Sequence, residues 1–399
     1  MADRSASPGM DWRFVEWSDR CDTALRDLLA LAAQKETISF AGGVPIVSEI
    51  DRGAVLTATE DALSEAGDRI FQYGATVGVP ELRDFLAERM TARGAPATAE
   101  NILIVSGAQQ ALDLVARLFL APGGRIACRF PTYPGCLAAW HPLEPDYVDR
   151  DALRASGAEG IAFAYALPNF ENPTGRRWPY AERAALLADA RAAGVPILED
   201  DPYRELRFDE IEEPSLIALD AEGRSAPYDG SVIYLGSISK TLAPGLRVGW
   251  VCAAPEVIER LTLIKQGADL HTPNLTQHIV LRLAANGVED RNAAAVRGIY
   301  KSRCAEMTDS LRRQLTNEIS FSAPDGGMFL WATLDEAADA NALLDRALKH
   351  GVGFVPGTAC YPPATGGKNQ LRLNFTANDR DATETGVERL AAALRETGG

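Results

Sequence analysis

The chain has 399 residues, 46% hydrophobic and 24% charged, a length and composition that suit two or three domains or one large α/β domain with an appendage. Its formal net charge of -15 argues against nonspecific nucleic-acid binding, and it has no apolar run near the roughly 20 residues that span a bilayer. The cysteines are scattered and form no CxxC pair, and the N-terminus has no apolar core, which together predict a cytoplasmic protein with reduced thiols. The four histidines are also scattered, which predicts that there is no metal site.

In chain order, strand-like and helix-like segments alternate through the middle of the sequence. The predicted strands are 101–106, 125–130, 161–167, 195–198, 232–235 and 248–253, and the predicted helices are 80–94, 109–120 and 180–193. This alternation predicts a largely parallel sheet covered by helices on both faces. Ligands bind such sheets at the carboxyl ends of the strands, and each polar cluster described below follows a predicted strand.

The pattern changes near residue 290. A long charged helix is predicted over 290–315, and short strands follow at 319–321, 328–333 and 371–375. This change predicts a smaller α+β domain at 291–399, after a large domain at 45–290.

The most informative segment is 236–250, GSISKTLAPGLRVGW, which lies between two predicted strands. Lys240 stands among hydroxyl groups at a strand end, where an amine can act as a covalent nucleophile. Arg247 follows seven residues later and can supply positive charge to a phosphate. The alternative is a surface lysine in a serine-rich turn. The segment resembles the lysine segment of the fold-type I pyridoxal phosphate (PLP) enzymes, the aminotransferase class I/II family, in which the lysine forms a Schiff base with PLP.

A carboxylate at the pyridine nitrogen of PLP keeps that nitrogen protonated, so the ring can accept electrons. The segment 198–203, LEDDPY, offers two aspartates after a predicted strand. The family pattern has the aspartate three residues before a tyrosine, which selects Asp200 over Asp201 and implies that Tyr203 hydrogen-bonds the phenolic oxygen of PLP. A solvated acidic turn is the alternative.

The segment 168–175, PNFENPTG, is a turn by composition. It also resembles the family's NPTG motif, whose asparagine contacts the cofactor. The resemblance assigns that role to Asn172 and not to Asn169.

A ring that stacks on PLP is implied by the resemblance at Tyr133, in the segment 130–135, FPTYPG. The alternative is an ordinary core tyrosine. Relatives carry an acidic pair before the proline, whereas this chain has Arg129 and Phe130, a departure that can alter the wall of the site.

A strand, a glycine and a helix N-terminus at 106–109 present free N–H groups to an anion. Alone this pattern is common in α/β turns. The resemblance also implies that Tyr73 reaches the phosphate bound by a partner subunit, and thus a homodimer with shared active sites. The predicted phosphate-binding residues are Ser106, Gly107, Ala108, Gln109, Ser237, Ser239 and Arg247.

Arg372 lies between Leu371 and Leu373 in a predicted strand, where an unpaired charge is costly. The resemblance assigns it to the substrate α-carboxylate, which the guanidinium fork matches. A surface arginine that extends to solvent is the alternative.

The resemblance covers roughly residues 20 to 395 and is closest to the aminoadipate/kynurenine aminotransferases, through segments 38–43 (ISFAGG), 326–331 (GGMFLW) and 354–357 (FVPG). It implies that Gly43 and Asn172 also contact substrate. It further implies that Arg26, in a mobile N-terminal helix, meets a side-chain carboxylate, although an ordinary exposed helix arginine fits nearly as well. Segment 44–50, VPIVSEI, replaces the relatives' proline-rich loop beside the substrate side chain.

The expectation is a fold-type I PLP enzyme with a mostly parallel sheet, in which residues 1–44 form an arm and part of the small domain. Its predicted reaction is ping-pong transamination from an L-amino acid to a 2-oxo acid, with 2-oxoglutarate expected as the acceptor. A lyase, decarboxylase or cyclase at the same Lys240 site is an alternative. A regulator that binds DNA is a more remote one, because the motifs begin near residue 20 and the charge is acidic.

Overall fold

The computed structural model describes residues 13–15, 18, 37–154 and 158–396, so Arg26 lies outside the described residues. Within this part of the chain, no helix is long and apolar enough to cross a membrane. The strands are β1 (Ile38–Ser39), β2 (Ile102–Val105), β3 (Arg125–Cys128), β4 (Asp146–Asp149), β5 (Ile161–Ala166), β6 (Ile197–Asp200), β7 (Val232–Ser237), β8 (Gly249–Cys252), β9 (Ile319–Phe321), β10 (Phe329–Leu334), β11 (Val352–Gly353), β12 (Val355–Pro356) and β13 (Gln370–Asn374).

The helices cover the sheets and connect most of the strands. They are α1 (Arg52–Ala66), α2 (Pro80–Ala92), α3 (Ala108–Phe119), α4 (Pro134–Trp140), α5 (Tyr180–Ala193), α6 (Leu216–Asp220), α7 (Pro255–Asp269), α8 (Asn274–Ala285), α9 (Val288–Gln314), α10 (Ala340–Lys349) and α11 (Arg380–Arg395).

A seven-stranded sheet, in the order β2-β8-β7-β6-β5-β3-β4, forms the centre of the molecule. The pairs from β7 through β6, β5 and β3 to β4 are parallel, whereas β8 is antiparallel to both β7 and β2. The predicted α/β fold with a mostly parallel sheet is therefore confirmed. Strand β8 is the exception, because it returns directly after the short turn that carries Lys240 and Arg247.

Strand β2 shows why the sheet is covered on both faces. Its four residues, Ile-Leu-Ile-Val, are all fully buried. Leu103 and Val105 belong to one hydrophobic cluster, whereas Ile102 and Ile104 belong to another. Because successive strand side chains point to opposite faces, an apolar run without alternation needs apolar partners on both sides.

The predicted element boundaries differ little from the observed ones where the sequence has clear signals. Helix α5 covers 180–193 as predicted, and Gly194 ends it in a left-handed conformation (φ 67°) with its N–H bonded to Ala190 O and Arg191 O. Strand β4 was not predicted, because its sequence, Asp-Tyr-Val-Asp, lacks the apolar run of the central strands.

The C-terminal region contains a four-stranded antiparallel sheet in the order β12-β13-β10-β9. Strand β1 pairs in parallel with β11, so Ile38 and Ser39 lie beside this region and not in the central sheet. The domain boundaries at 44 and 290 remain predictions.

Candidate active site

A cavity of about 310 Å³ lies where the turns after β6 and β7 meet α3 and the four-stranded sheet. This volume is at the lower end of the range for small-molecule sites. Twelve of the residues predicted from the sequence line it, namely Gly43, Ala108, Gln109, Tyr133, Asn172, Asp200, Tyr203, Ser237, Ser239, Lys240, Arg247 and Arg372.

Lys240 lies three residues beyond the end of β7, and its Nζ donates a hydrogen bond to Gly43 O at 2.8 Å. The pKa of this amine is lowered to about 8, mainly by burial and also by the positive charges of Arg372 and Arg247, while the charge of Asp200 acts in the opposite direction. A substantial fraction of the amine is thus neutral near physiological pH. Only the neutral amine has the lone pair that a nucleophile or a base requires.

Asp200 ends β6, and its side chain is buried. The Tyr165 hydroxyl donates to Asp200 Oδ2 at 2.9 Å, whereas Oδ1 has no hydrogen-bond partner among the described residues. The pKa of Asp200 is raised to about 7, mainly by burial and also by the charge of Asp201, although the Tyr165 hydrogen bond and the charge of Lys240 act to lower it. A buried carboxylate oxygen without a partner, in a residue that lines a cavity, suits a ligand that brings an N–H group.

The neighbouring candidates Asp201 and Asn169 do not line the cavity. Asn169 Nδ2 donates to Asp201 Oδ1 at 2.7 Å, and the Tyr234 hydroxyl donates to Asp201 Oδ2 at 3.2 Å. Arg183 Nη2 in turn donates to Asn169 Oδ1 at 2.7 Å. The hydrogen-bonding groups of these two polar side chains therefore have partners elsewhere in the protein.

Arg372, in β13, is held from three sides. Its Nη1 donates to Asn172 Oδ1 at 2.7 Å, its Nη2 donates to Ala41 O at 2.8 Å, and its guanidinium lies 4.2 Å from the centre of the Phe329 ring. Arg372 Nε has no hydrogen-bond partner and no carboxylate is paired with the side chain among the described residues. A buried cation without a carboxylate partner is suited to an anionic substrate group.

Two tyrosines form part of the cavity wall. Tyr203 is buried, and its ring stands edge-on to Phe329, with 6.1 Å between the ring centres. Burial raises the pKa of both Tyr133 and Tyr203 above the ordinary value. Both hydroxyls are therefore protonated at neutral pH and can donate hydrogen bonds.

The turn before α3 meets Arg247. Gly107 has a φ of 87°, and a Cβ there would lie 2.5 Å from Arg247 Nη2, so the close approach requires glycine. Arg247 Nη2 donates to Ser106 O at 2.8 Å. Ala108 and Gln109, at the start of α3, line the cavity with the N–H groups that have no partner within a helix.

Ser106 was predicted to contact a phosphate, but neither it nor Gly107 lines the cavity. The Ser106 N–H donates to Gln110 Oε1 at 2.8 Å, and its hydroxyl donates to Asp269 Oδ2 at 3.3 Å. Ser106 and Gly107 therefore shape the turn, whereas Ala108 and Gln109 line the cavity. A phosphate contact of Ser106 and Gly107 stays a prediction.

Tyr73 is not among the lining residues of this cavity. It is 79% exposed, and its ring lies edge-on to His271 with 6.1 Å between the ring centres. A contact between Tyr73 and a phosphate thus needs a second subunit and stays a prediction.

Sequence reasoning missed three residues that shape the site, Tyr165, Phe329 and Asp269. Tyr165 lies in an apolar strand and has the pattern of a core residue. Phe329 was part of a recognised segment but had no assigned role. Asp269 is distant in sequence from the turn that it contacts. Among the described residues, no cluster of three or more His, Cys, Asp or Glu could hold a metal ion.

Comparison with known proteins gives a consistent result. The family model "Aminotransferase class I and II" matches residues 48–390. A 2-aminoadipate transaminase of Thermus thermophilus is 39% identical over 94% of each chain, and aromatic-amino-acid aminotransferase 1 of Thermococcus litoralis is 35% identical over 93% of this chain and 91% of its own. The crystal structure of the α-aminoadipate aminotransferase of Thermus thermophilus, complexed with N-(5'-phosphopyridoxyl)-L-leucine, superposes with a TM-score of 0.87 at 38% identity, covering 96% of this chain and 97% of that one.

Proposed function

The chain belongs to the aminotransferase class I and II family and is a PLP-dependent aminotransferase, and we propose that its reaction centre is the cavity around Lys240. One observation supports this most directly. The partly neutral amine of Lys240, the carboxylate oxygen of Asp200 that has no hydrogen-bond partner among the described residues and the buried cation of Arg372 all belong to residues that line one cavity. When bound, PLP supplies an electron-accepting ring that stabilises negative charge at the substrate α-carbon.

The residues of the cavity fit PLP group by group. Asp200 would hold the proton on the pyridine nitrogen, and Asn172 and Tyr203 would donate to the phenolic oxygen. Tyr133 would stack on the ring. The phosphate would be held by the α3 N-terminus at Ala108 and Gln109, by Ser237 and Ser239, and by Arg247, which lines the cavity and donates to the carbonyl of Ser106 in the turn.

Lys240 would hold PLP covalently and, once displaced by the substrate amine, move a proton. Its Nζ, with a pKa lowered to about 8 by burial, can accept the proton from the substrate α-carbon and release it again. Arg372 would bind the α-carboxylate and so fix the α-carbon beside Lys240. Phe329 and Tyr203 would exclude water from that side.

The substrates are proposed to be an L-amino acid with a long side chain and a 2-oxo acid such as 2-oxoglutarate. Relatives named for 2-aminoadipate and for aromatic amino acids support a site that takes both acidic and bulky apolar groups. The cavity wall is apolar at Val44, Leu167 and Phe329. Arg26 is proposed to contact the carboxylate of an acidic substrate side chain. Gly43, which lines the cavity, is proposed to contact the substrate.

The chain is further proposed to work in the cytoplasm as a homodimer, in which Tyr73 of one subunit serves the phosphate of the other. The exposure of Tyr73 and of Phe71, two residues before it and 77% exposed, supports a contact surface there. Lyase, decarboxylase, cyclase and regulatory functions are less well supported, since the relatives with full coverage are aminotransferases.

The test uses purified protein saturated with PLP and a panel of L-amino acids. A true donor changes the absorbance of the bound cofactor in a single turnover, and added 2-oxoglutarate restores it while glutamate accumulates. We expect this cycle with 2-aminoadipate or an aromatic amino acid. Carbon dioxide or ammonia as the product, with no new amino acid, would contradict transamination.

A further inference from the structure

An ion pair between a fully buried lysine and a partly exposed aspartate lies next to the turn of the proposed phosphate subsite. Lys265 is fully buried in α7, and its Nζ donates to Asp269 Oδ1 at 2.6 Å. Asp269 is the last residue of that helix, where the helix dipole does not favour a carboxylate. A lysine removed entirely from water for one contact needs an explanation, because burying its charge is costly.

The other oxygen of Asp269 holds the turn before α3. Asp269 Oδ2 accepts hydrogen bonds from Gln110 Nε2 at 2.7 Å and from the Ser106 hydroxyl at 3.3 Å. Gln110 Oε1 accepts from the Ser106 N–H at 2.8 Å. Thr272 Oγ1 lies 3.4 Å from the Ser106 hydroxyl. Ser106 is therefore fixed through both its backbone N–H and its side chain.

The same network continues to the phosphate side of the turn. The Ser106 carbonyl accepts from Arg247 Nη2 at 2.8 Å, so the position of the guanidinium depends on the turn that Asp269 holds. Ala108 and Gln109 follow directly and present the free N–H groups of α3.

Charge also matters here, because Asp269 stands near the positive N-terminal end of α3, where a phosphate would bind. Burial raises the pKa of Asp269, but hydrogen bonds from Lys265, Gln110 and Ser106 outweigh it, so the pKa lies below its usual value. An ionised carboxylate alone at that place would weaken the attraction for a second anion. Lys265 offsets it at contact distance.

We propose that Lys265 and Asp269 are a positioning pair for the phosphate subsite, in which Asp269 fixes the turn at 106–108 and Lys265 cancels a charge that would otherwise repel the phosphate. The inference rests on the proposed phosphate subsite. It predicts that loss of the pair weakens binding of the phosphate group of PLP and does not weaken binding of its pyridine ring.

The test compares two ligands of the apoprotein, PLP and pyridoxal, which has the same ring and aldehyde but no phosphate. The dissociation constants are obtained by absorbance titration, so the readout does not depend on activity. Lys265→Met should raise the dissociation constant of PLP about tenfold and leave that of pyridoxal within about twofold. The double variant Lys265→Met/Asp269→Asn should recover most of the loss, because it removes the unpaired carboxylate and keeps an acceptor for Gln110.

Circular dichroism and the thermal unfolding midpoint report whether each variant folds. If Lys265→Met does not fold, the outcome is decided by Gln110→Leu. This change removes the link that runs from Asp269 through Gln110 to the Ser106 N–H, leaves the direct bond from the Ser106 hydroxyl, and buries no charge. It should also weaken the binding of PLP more than that of pyridoxal. If Lys265→Met, or Gln110→Leu where Lys265→Met does not fold, weakens the binding of PLP and of pyridoxal equally, the inference is overturned.

Arg247→Gln separates the inference from the phosphate subsite itself. It should weaken PLP more than pyridoxal if the subsite is right. Selective loss in Arg247→Gln but in neither Lys265→Met nor Gln110→Leu would overturn the inference alone. No selective loss in any variant would overturn both.

Discussion

Asn172 Oδ1 accepts a hydrogen bond from Arg372 Nη1 at 2.7 Å, which joins the turn after β5 in the central sheet to β13 in the C-terminal sheet. The proposed cofactor-binding and substrate-binding residues are thus in direct contact before any ligand is present. Arg372 keeps Nε without a partner, so the guanidinium is fixed and still has a donor to offer.

The contact predicts that the two side chains act together in substrate binding. Arg372→Lys should lower kcat/KM by about tenfold to a hundredfold, since losing a bidentate charged contact costs about 1.5–3 kcal/mol. Asn172→Ala should also lower it, because the guanidinium loses one of its two hydrogen-bond acceptors. A double-mutant cycle in kcat/KM should show a loss smaller than the sum. Strictly additive losses would mean that the contact does not contribute to substrate binding.

The pKa of Lys240 predicts the pH dependence of cofactor capture. The folded protein lowers this pKa to about 8, so the amine is mostly protonated below pH 8 and mostly neutral above it. The rate at which apoprotein captures PLP should therefore rise with pH up to about 8 and then level off, with about a tenfold change per pH unit on the acidic side. Stopped-flow absorbance measures this rate. A rise that continues toward pH 10 would mean that the pKa of Lys240 is not lowered.

Removal of the Tyr165 hydroxyl should change the pKa of Asp200. Its hydrogen bond lowers the pKa of Asp200, so Tyr165→Phe should raise that pKa above about 7 and leave less ionised carboxylate at neutral pH. We expect kcat to fall about tenfold at pH 7 and to recover partly at higher pH. Tyr147→Phe is a matched control, because the Tyr147 hydroxyl is buried and has no hydrogen-bond partner among the described residues. Equal effects of the two substitutions would contradict a specific role for Tyr165.

If Tyr73 of one subunit serves the active site of the other, two impaired variants should complement each other in mixed dimers. Hybrids of a Tyr73→Phe chain and a Lys240→Ala chain should contain one site that lacks both changes, and should regain more activity than either parent. The activity of mixed, refolded samples measures this, with each parent refolded alone as the control. A fully active monomer by light scattering would contradict the shared site.

The sequence indicated Asp200 and Lys240 because they lie at the end of, or just after, recognisable strands. Asp200 is the last residue of β6 and lines the cavity, whereas the adjacent Asp201 lies just beyond the strand and does not line it. Tyr165 could not be assigned, since its contact with Asp200 depends on the register between β5 and β6, in which Tyr165 pairs with Leu198. A register between strands 33 residues apart is not visible in either segment alone.

The contacts of Ser106 could not be predicted for a similar reason. Its position after β2 suggests a phosphate contact, which stays a prediction, and its hydroxyl donates to Asp269, 163 residues further along the chain. The local sequence pattern predicts the turn and the helix N-terminus, but the direction of the Ser106 hydroxyl depends on how α7 packs against the turn.

The central claim is that Lys240 carries PLP, and the most direct measurement is chemical mapping of the attached cofactor. PLP-saturated protein is reduced with borohydride, digested and analysed by mass spectrometry, with Lys240→Ala as the control. The account predicts a pyridoxyl group on the peptide that contains Lys240 and none in the control. A label on another lysine, or no label on saturated protein, would contradict it.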